Sequence, residues 1–550
     1  MTLRRVDVVV VGAGPAGLAA AEAALRAGGR VTLVDSAENP GGQYHRMLPD
    51  AYAAARPDQL QHGWRAFDRL RRRVLEHPRC AWCPETVVWA LERRDRTGEP
   101  VPPRVHLLSG PADGGGRARR VVDPDALVLA VGAHDRVLPV PGWELPGVFT
   151  AGAAQALAKG ERVVVGDRVV VAGAGPFLLP VAASLLAAGA GVLEVLEANT
   201  STTLARGWSR RAWELAAQIA KAGELLSYVS DLARHRVPYR CGRTVVEARG
   251  EGRVEEVVTA RLRADWSVVP GSERSTAVDA LCVSHGFSPQ LELPLAAGCA
   301  LRDVVSGFPT DTDTDTAGDR DREVDQFAAA AVTVDDDQRT SAPGVFAAGE
   351  ITGIAGAPAA RAEGTLAGWL AAGGDPGVPA LRAVRRARDR GRAFAARLAR
   401  AHPIGPAWYG WLSPGTVICR CEETDYDTLR QAATSPAGAA ARVTKLATRA
   451  GLGPCQARIC GPTVAELTAR LGNAPTADRP VAGLSPATPH HRPLAHPIRL
   501  GELAAPPQPQ LHHPSQAPPT RTQSPTTPPT ATRTETPTET PTETPTKESE

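Results

Sequence analysis

Short runs of consecutive apolar residues, each closed by a glycine or an acid, recur along the first half of this chain. The clearest is Val-Asp-Val-Val-Val-Val at residues 6–11, followed by Arg30–Val34, Asp125–Ala133, Arg168–Ala172, Val192–Leu196 and Ala277–Val283. Such runs are too short for helices and apolar on both faces, which predicts strands of a covered parallel sheet. Between them the pattern changes to helical spacing, at Leu18–Ala27 and Pro176–Ala190. Residues 47–83 also read as mainly helical, with charge-rich periodicity around Arg65–Arg73. Alternation of strand and helix predicts an α/β fold.

What joins the first strand to the first helix narrows the chemistry. Gly12-Ala13-Gly14-Pro15-Ala16-Gly17 lies between them, and Asp35 ends the next strand. Gly12 permits a sharp turn, Gly14 lets backbone approach a pyrophosphate, and Gly17 lets the helix pack close to the strand. The helix start presents unpaired N–H groups and partial positive charge to phosphate. Asp35, about twenty residues on, is placed to accept from a ribose hydroxyl. Strand, turn, helix, strand and acid in that order predict a dinucleotide site. Gly41-Gly42-Gln43 follows, and two glycines let backbone meet a flat ring edge-on.

A second unit of the same kind begins at Arg168. Its turn is Gly173-Ala174-Gly175 and its terminal acid is Glu197, but Leu178 holds the third glycine position and Pro180 falls early in the helix. Glu197 is expected to accept from a free ribose 2′-hydroxyl and to repel a 2′-phosphate, so NAD(H) suits this site better than NADP, with a purely structural nucleotide fold as the alternative. Residues Trp266–Gly286 are expected to return the chain to the first domain. Near residue 340 comes Thr-Ser-Ala-Pro-Gly-Val-Phe-Ala-Ala-Gly-Glu, ending on Gly349 and Glu350, with a helix expected to start near Ala357. That helix start suits the flavin pyrimidine, where negative charge gathers on reduction.

Four cysteines cluster late: Cys419-Arg420-Cys421 and Cys455 to Cys460. Four thiolates suit a [2Fe–2S] cluster or Zn²⁺. A C-x-C pair followed by glycine-flanked thiols, with Arg420, Lys445, Arg449 and Arg458 nearby, favours the anionic cluster. Cys80-Ala81-Trp82-Cys83 is a C-x-x-C, but it precedes Pro84 and a strand-like run instead of opening a helix, so packed thiols are expected there and not a redox disulfide. His134 and Glu350 fall near the expected flavin, with structural roles favoured for both. No catalytic side chain stands out.

Composition adds bounds. The 550 residues carry a net charge of +3, so nothing points to nucleic acid or a membrane surface. Aromatics make up only 4%, which leaves Val, Leu and Ala to build the core. No apolar stretch is long and uninterrupted enough to span a bilayer. Arg4 and Arg5 precede a strand of the glycine motif and not a signal peptide, and a cytoplasmic location is expected. Nine cysteines, an odd number with four gathered late, fit metal ligation better than a disulfide framework.

These motifs carry a resemblance. The start of the chain resembles the FAD-binding start of two-dinucleotide flavoprotein reductases. The late cysteines resemble a bacterioferritin-associated-ferredoxin-like [2Fe–2S] domain. With Gly-Gly-Gln at 41–43, the 132–148 segment and Gly344–Glu350, residues 5–472 resemble the large subunit of dye-linked amine dehydrogenases, the group of opine oxidase, proline and hydroxyproline dehydrogenase and hydrogen cyanide synthase. The resemblance implies FAD held by Gly12, Gly14, Pro15, Ala16, Gly17, Asp35, Ser36, Gly41, Gly42, Gln43, Val87, Ala130, Gly132, Gly349, Glu350 and Ala357. It implies a second nucleotide site at Gly173, Gly175 and Glu197, and a cluster on Cys419, Cys421, Cys455 and Cys460. It also implies a separate small amine- or D-amino-acid-oxidase-type flavoprotein as partner, which oxidises the amine. A stand-alone NAD(P)H-dependent FAD/[2Fe–2S] reductase is the alternative.

The domains expected are therefore an FAD domain over 1–150 and 287–372, with a flexible insert at 308–324, and an inserted nucleotide domain over 151–286. A linker over 373–412, the [2Fe–2S] domain over 413–475 and a disordered Pro/Thr-rich tail over 476–550 complete the chain. The paired histidines at 490–491 and 512–513 are expected to be solvated tail.

Overall fold

The structure is a computed structural model that describes residues 5–49, 52, 57–61, 63–96, 99–209, 219–305, 328–435, 441–472, 490–492 and 494–508. The expected insert at 308–324 and the histidines at 512–513 lie outside these residues.

Two five-stranded parallel sheets organise the chain. The first runs in the order Val345–Ala347, Ala126–Leu129, Asp7–Val11, Arg30–Val34, Cys80–Cys83. Val8 stands opposite both Val31 and Ala126, so Val8 to Val11 are flanked by strands on each side and buried on both faces. This is why consecutive apolar residues, and not alternating ones, mark it. Cys80–Cys83 is the edge strand beside Arg30–Val34, where helix was expected. Its β-branched-poor sequence is held by pairing, with Cys80 and Cys83 turned into the core.

The second sheet has the order Val148–Thr150, Ala280–Ser284, Val169–Gly173, Val192–Glu197, Tyr239–Cys241. It corrects the expectation for Trp266–Gly286: Ala280–Ser284 does not return to the first domain but pairs with both Val148–Thr150 and Val169–Gly173. Val148–Thr150 likewise belongs to this sheet, a few residues before the expected boundary. Antiparallel three-stranded sheets accompany each half: Thr86–Glu92 with Arg104–Ser109 and Ala118–Val122, and Arg243–Arg249 with Glu256–Arg261 and Arg274–Ala277.

Helices cover the first sheet by unusually close approach. The first helix, Pro15–Arg26, lies against a closing helix, Ala357–Ala371. A Cβ on Gly364 would run into the Ala16 carbonyl, and one on Gly368 into that of Ala20. Glycines one helical turn apart thus interlock with alanines at matching spacing. The loop ahead of the closing helix also meets the first helix: a Cβ on Gly349 would stand 3.0 Å from the Ala16 Cβ.

The expected basic linker is a third long helix, Pro379–Ala401, packed on the closing helix and on Ser201–Ser209. Beyond it, Trp408–Trp411 and helices Tyr426–Thr434, Ala441–Thr448 and Gly461–Gly472 form the cysteine-bearing unit. That unit shares a core with the second sheet through Trp266, Trp408, Trp411, Ile418, Leu429 and Leu467.

The tail expectation also needs correction. Residues 490–508 are not simply solvated. His490 and Arg492 are buried, Ala495 N–H donates to Trp89 O at 2.9 Å, and Arg117 binds Glu502 bidentately at 2.7 and 2.9 Å. A short helix, Leu500–Ala504, ends this strap. Its few apolar and charged residues are locally matched to Trp89, Arg117 and Glu292, a match that averaged composition hides. Among the described residues no helix is long and apolar enough to cross a membrane.

Candidate functional site

The first glycine turn has the geometry its residues predict. Gly12 has φ +99° and donates to Val34 O at 2.8 Å, while a Cβ on Gly17 would run into Gly12 O. Gly14 caps the first helix without any side-chain acceptor, so its leading N–H groups stay free for an anion. Pro15 occupies the first turn, where a missing N–H costs nothing. Asp35 accepts from Ala13 N at 2.5 Å and Ala37 N at 2.8 Å. A carboxylate has about four lone-pair sites, so two remain for a ribose. Burial raises the Asp35 pKa, against the pull of those N–H donors. Ser36 and Gln43 are exposed, Val87 sits on the strand Thr86–Glu92, and Ala130 and Gly132 follow Ala126–Leu129.

Gly41 and Gly42 have a packing role as well. Gly41 N–H donates to Ala13 O at 2.9 Å, and a Cβ on Gly42 would stand 2.9 Å from Gly14 Cα. The pair lets this loop lie on the glycine turn itself.

At the closing helix, Gly356 caps the start with no side-chain acceptor, and Ala357 follows it, buried. Glu350 turns its oxygens toward this helix start. Its oxygens accept from Ala355 N and Gly356 N, both at 3.0 Å, and burial pushes its pKa up to about 7. Glu363, which no local pattern singles out, fixes the same turn: it accepts from Gly349 N at 2.8 Å and from Thr352 at 2.7 Å, and pairs with Arg392. The residues present fit an FAD: the first helix start is uncapped beside its glycine turn, the loop at Gly349 packs against Ala16, and Asp35 keeps free acceptor capacity. His134 sits in a short strand opposite Ser288, with burial lowering it to about 4 and its Nε2 without a partner.

The second glycine turn is built alike but closed. Gly173 has φ +141°, and a Cβ there would run into Ser284 O. Leu178 points into the core of the second sheet. Glu197, however, is fully buried, and its carboxylate is filled by this chain. Oε1 accepts from Asn199 N at 3.0 Å and Asn199 Nδ2 at 2.9 Å; Oε2 accepts from Gly175 N at 2.9 Å, His402 Nδ1 at 3.1 Å and Tyr239 OH at 3.4 Å. Five donors leave no site for a ribose hydroxyl. The expected ribose contact is therefore corrected: Glu197 ties the turn to the end of the helix Pro379–Ala401.

The four late cysteines lie on adjoining loops. Cys419 and Cys460 are buried, Cys455 is half-buried and Cys421 is exposed. Cys460 Sγ lies 3.7 Å from Cys419 Sγ, and Gly451 N–H points at Cys419 Sγ from 3.5 Å. A Cβ on Gly453 would run into that of Cys421. Gln456 and Ala457, between the last two cysteines, both have positive φ, and the backbone N–H groups of Ala457 and Ile459 bond Cys455. The bond from Cys460 holds Cys419 down to about 6 and Cys455 down to about 5, and correspondingly pushes Cys460 up. Thiolate character, N–H donors aimed at sulfur and a glycine the sulfurs require all fit a sulfur-ligated cluster. Among the described residues no group of three or more His, Cys, Asp or Glu is arranged to hold a metal ion as it stands.

The cysteine unit docks on the crossover between the two sheets, the proline-bearing stretch 139–147. Trp143 Nε1 donates to Val417 O at 2.6 Å, and Arg420 stacks over the Trp143 ring at 5.2 Å while donating to Glu144 O at 3.2 Å. Cys80 and Cys83 lie elsewhere, with burial raising them to about 12 and about 11.

The protein family described as pyridine nucleotide-disulphide oxidoreductase matches residues 6–321. An opine oxidase subunit of Rhizobium meliloti is 33% identical over 548 residues, covering 94% of this chain and 91% of that protein. Hydrogen cyanide synthase subunit HcnB of Pseudomonas aeruginosa is 30% identical over 468 residues, 82% of this chain and 90% of that protein. The solved structure of L-proline dehydrogenase from P. horikoshii superposes with a TM-score of 0.58 at 18% identity, over 91% of this chain and 79% of that one, a likeness of fold.

Proposed function

Because this chain belongs to the pyridine nucleotide-disulphide oxidoreductase family and is a flavin-dependent oxidoreductase, we propose that it is the electron-transfer subunit of an amine or amino-acid dehydrogenase complex acting on an opine-, proline- or hydroxyproline-like substrate. In this reading FAD lies between the two uncapped helix starts, and a [2Fe–2S] cluster is held by Cys419, Cys421, Cys455 and Cys460. A small flavoprotein of the amine- or D-amino-acid-oxidase type is its partner and oxidises the substrate. The relatives named above as subunits support that assembly.

The observation that carries the proposal is the contrast between the two acids. Asp35 retains acceptor sites for a ribose, whereas Glu197 has spent all of its own on Gly175, Asn199, Tyr239 and His402. An acid free to hold a ribose at the first site and a filled one at the second favour FAD at the first site and entry of electrons by a route other than NADH. FAD accepts electrons in pairs and releases them singly, which matches a two-electron substrate to a one-electron cluster. The chain's own residues supply the setting. The first helix start and the glycine turn bind the pyrophosphate, Glu363 and Arg392 fix Gly349 at the closing helix, and Trp143 with Arg420 seats the cysteine unit beside the crossover.

The test is anaerobic reduction of the purified chain, alone and with its co-purified partner. Flavin bleaching on addition of an amino-acid substrate only when the partner is present supports the proposal. Rapid bleaching by NADH alone would overturn it in favour of a stand-alone NAD(P)H-dependent reductase.

A further inference from the structure

The strap formed by residues 490–492 and 494–508 passes between the first domain and the cysteine unit. Ala495 N–H binds Trp89 O on one side, and Ala495 O accepts from Arg458 Nη2 at 2.8 Å on the other. Near its start, Arg492 donates from Nη2 to Gln456 O, inside the loop between Cys455 and Cys460. Its side chain is only 5% exposed.

The charges around it do not balance. Among the described residues Glu292 is the one carboxylate that Arg492 approaches, at 3.3 Å, and Arg458 shares it at 3.2 Å. Two largely covered guanidiniums therefore face one carboxylate, with His490 Nδ1 3.9 Å from the same oxygen. Arg492 Nε and Nη1 have no hydrogen-bond partner among the described residues. A buried cation left in surplus is costly unless something negative stands nearby. What stands nearby is the cysteine loop, where Gln456 O, next to Cys455, accepts from Arg492 Nη2. An anionic four-thiolate centre accounts for both the surplus charge and the unpartnered N–H groups.

We propose that Arg492 is a positioning residue of the cysteine centre, delivered by the strap so that its buried guanidinium favours uptake of an electron by the cluster. This rests on the [2Fe–2S] reading above. The electron comes from reduced FAD and adds one negative charge at the centre. A fixed positive charge in a medium of low dielectric stabilises that added charge and raises the reduction potential.

The test is an EPR-monitored redox titration of the full-length holoprotein, with iron and acid-labile sulfide measured beside it. Arg492→Gln is expected to disfavour the reduced cluster about tenfold, a fall of about 59 mV for a one-electron couple. Arg492→Lys, which keeps the charge but not the fork, is expected to recover most of that fall, as a purely packing role would not. Glu292→Gln tests the same idea with the opposite sign. It removes the shared counter-charge and is expected to raise the potential, and it decides the matter should Arg492→Gln lose its iron. Loaded variants with the wild-type potential, or a fall in Glu292→Gln, overturn the inference while leaving the cluster intact. Wild-type protein without iron and sulfide refutes the cluster reading itself, and this inference with it.

Discussion

Glu197 Oε2 lies 3.1 Å from His402 Nδ1, joining the end of the strand Val192–Glu197 to the residue that ends the helix Pro379–Ala401. Burial alone would push the Glu197 pKa up, but the bond from His402 and those from Asn199 and Gly175 outweigh it and hold it below the ordinary carboxylate range. His402→Ala leaves a buried carboxylate short of a donor, which is expected to cost about 2 kcal/mol. A carboxylate with a depressed folded pKa contributes stability above its unfolded value near 4.3, and that contribution fades as pH falls through the folded value. The gap between wild type and His402→Ala should therefore be full at pH 7 and shrink below about pH 4. Urea unfolding at both pH values measures it, and an equal gap at each would remove the bond to the Glu197 carboxylate as its source.

Interlocking of the first and closing helices makes a second prediction. Gly368→Val would drive its side chain into the backbone of Ala20, and is expected to destabilise by about 3 kcal/mol through overpacking. Because that contact sets where Gly349 meets Ala16, FAD should also be retained poorly. Gly223→Ala, in helix Ile219–Arg234 with open space around it, is the control, and is expected to be neutral or to stabilise by up to about 1 kcal/mol. Thermal unfolding and the flavin-to-protein absorbance ratio read both. Equal retention in the two variants would contradict the role given to the helix pair.

Features set by neighbours in sequence were legible. The turn at Gly12–Gly17, the strand on either side of it and Asp35 follow from local pattern, because a covered parallel strand and a glycine turn each need their residues in a row. Features set by distant partners were not. Gly364 and Gly368 look like ordinary small residues until Ala16 and Ala20 arrive against them. Glu197 reads as a ribose ligand until His402 and Tyr239 fill it. Ala280–Ser284 has the right pattern for a strand, but nothing local says which sheet it joins. His490 and Arg492 sit in proline-rich sequence, and only the buried Glu292 explains why they are drawn inward.

The two cysteines at 80 and 83 should be chemically quiet. Their thiols are buried in the first sheet and raised to about 12 and about 11, so almost no thiolate exists at pH 8. In iron-free protein, iodoacetamide is expected to label the exposed Cys421 well before either. Cys80→Ala with Cys83→Ala should leave flavin reduction by substrate and partner unchanged. Mass spectrometry of labelled peptides checks the first outcome, and early modification of Cys80 or Cys83 would reopen a redox role for the pair.

Glu350 makes the sharpest pH prediction. Burial pushes it to about 7, against the N–H donors of Ala355 and Gly356, with Glu363 adding like-charge repulsion. A carboxyl whose folded pKa lies above its unfolded value near 4.3 keeps a proton in the folded state that the unfolded chain has already lost. Stability then falls as pH rises from about 4.3 to 7, and the loss is complete above 7. Glu350→Gln removes that titration. The exchange of one accepting oxygen for an amide adds a cost of its own, but one that does not change with pH. Flavin-free wild type should therefore lose at least about 1 kcal/mol relative to Glu350→Gln between pH 5 and pH 8. Urea unfolding of both proteins at those two pH values gives the difference directly. Parallel profiles would mean that Glu350 ionises in the folded chain much as it does in the unfolded one, and that its N–H donors outweigh its burial.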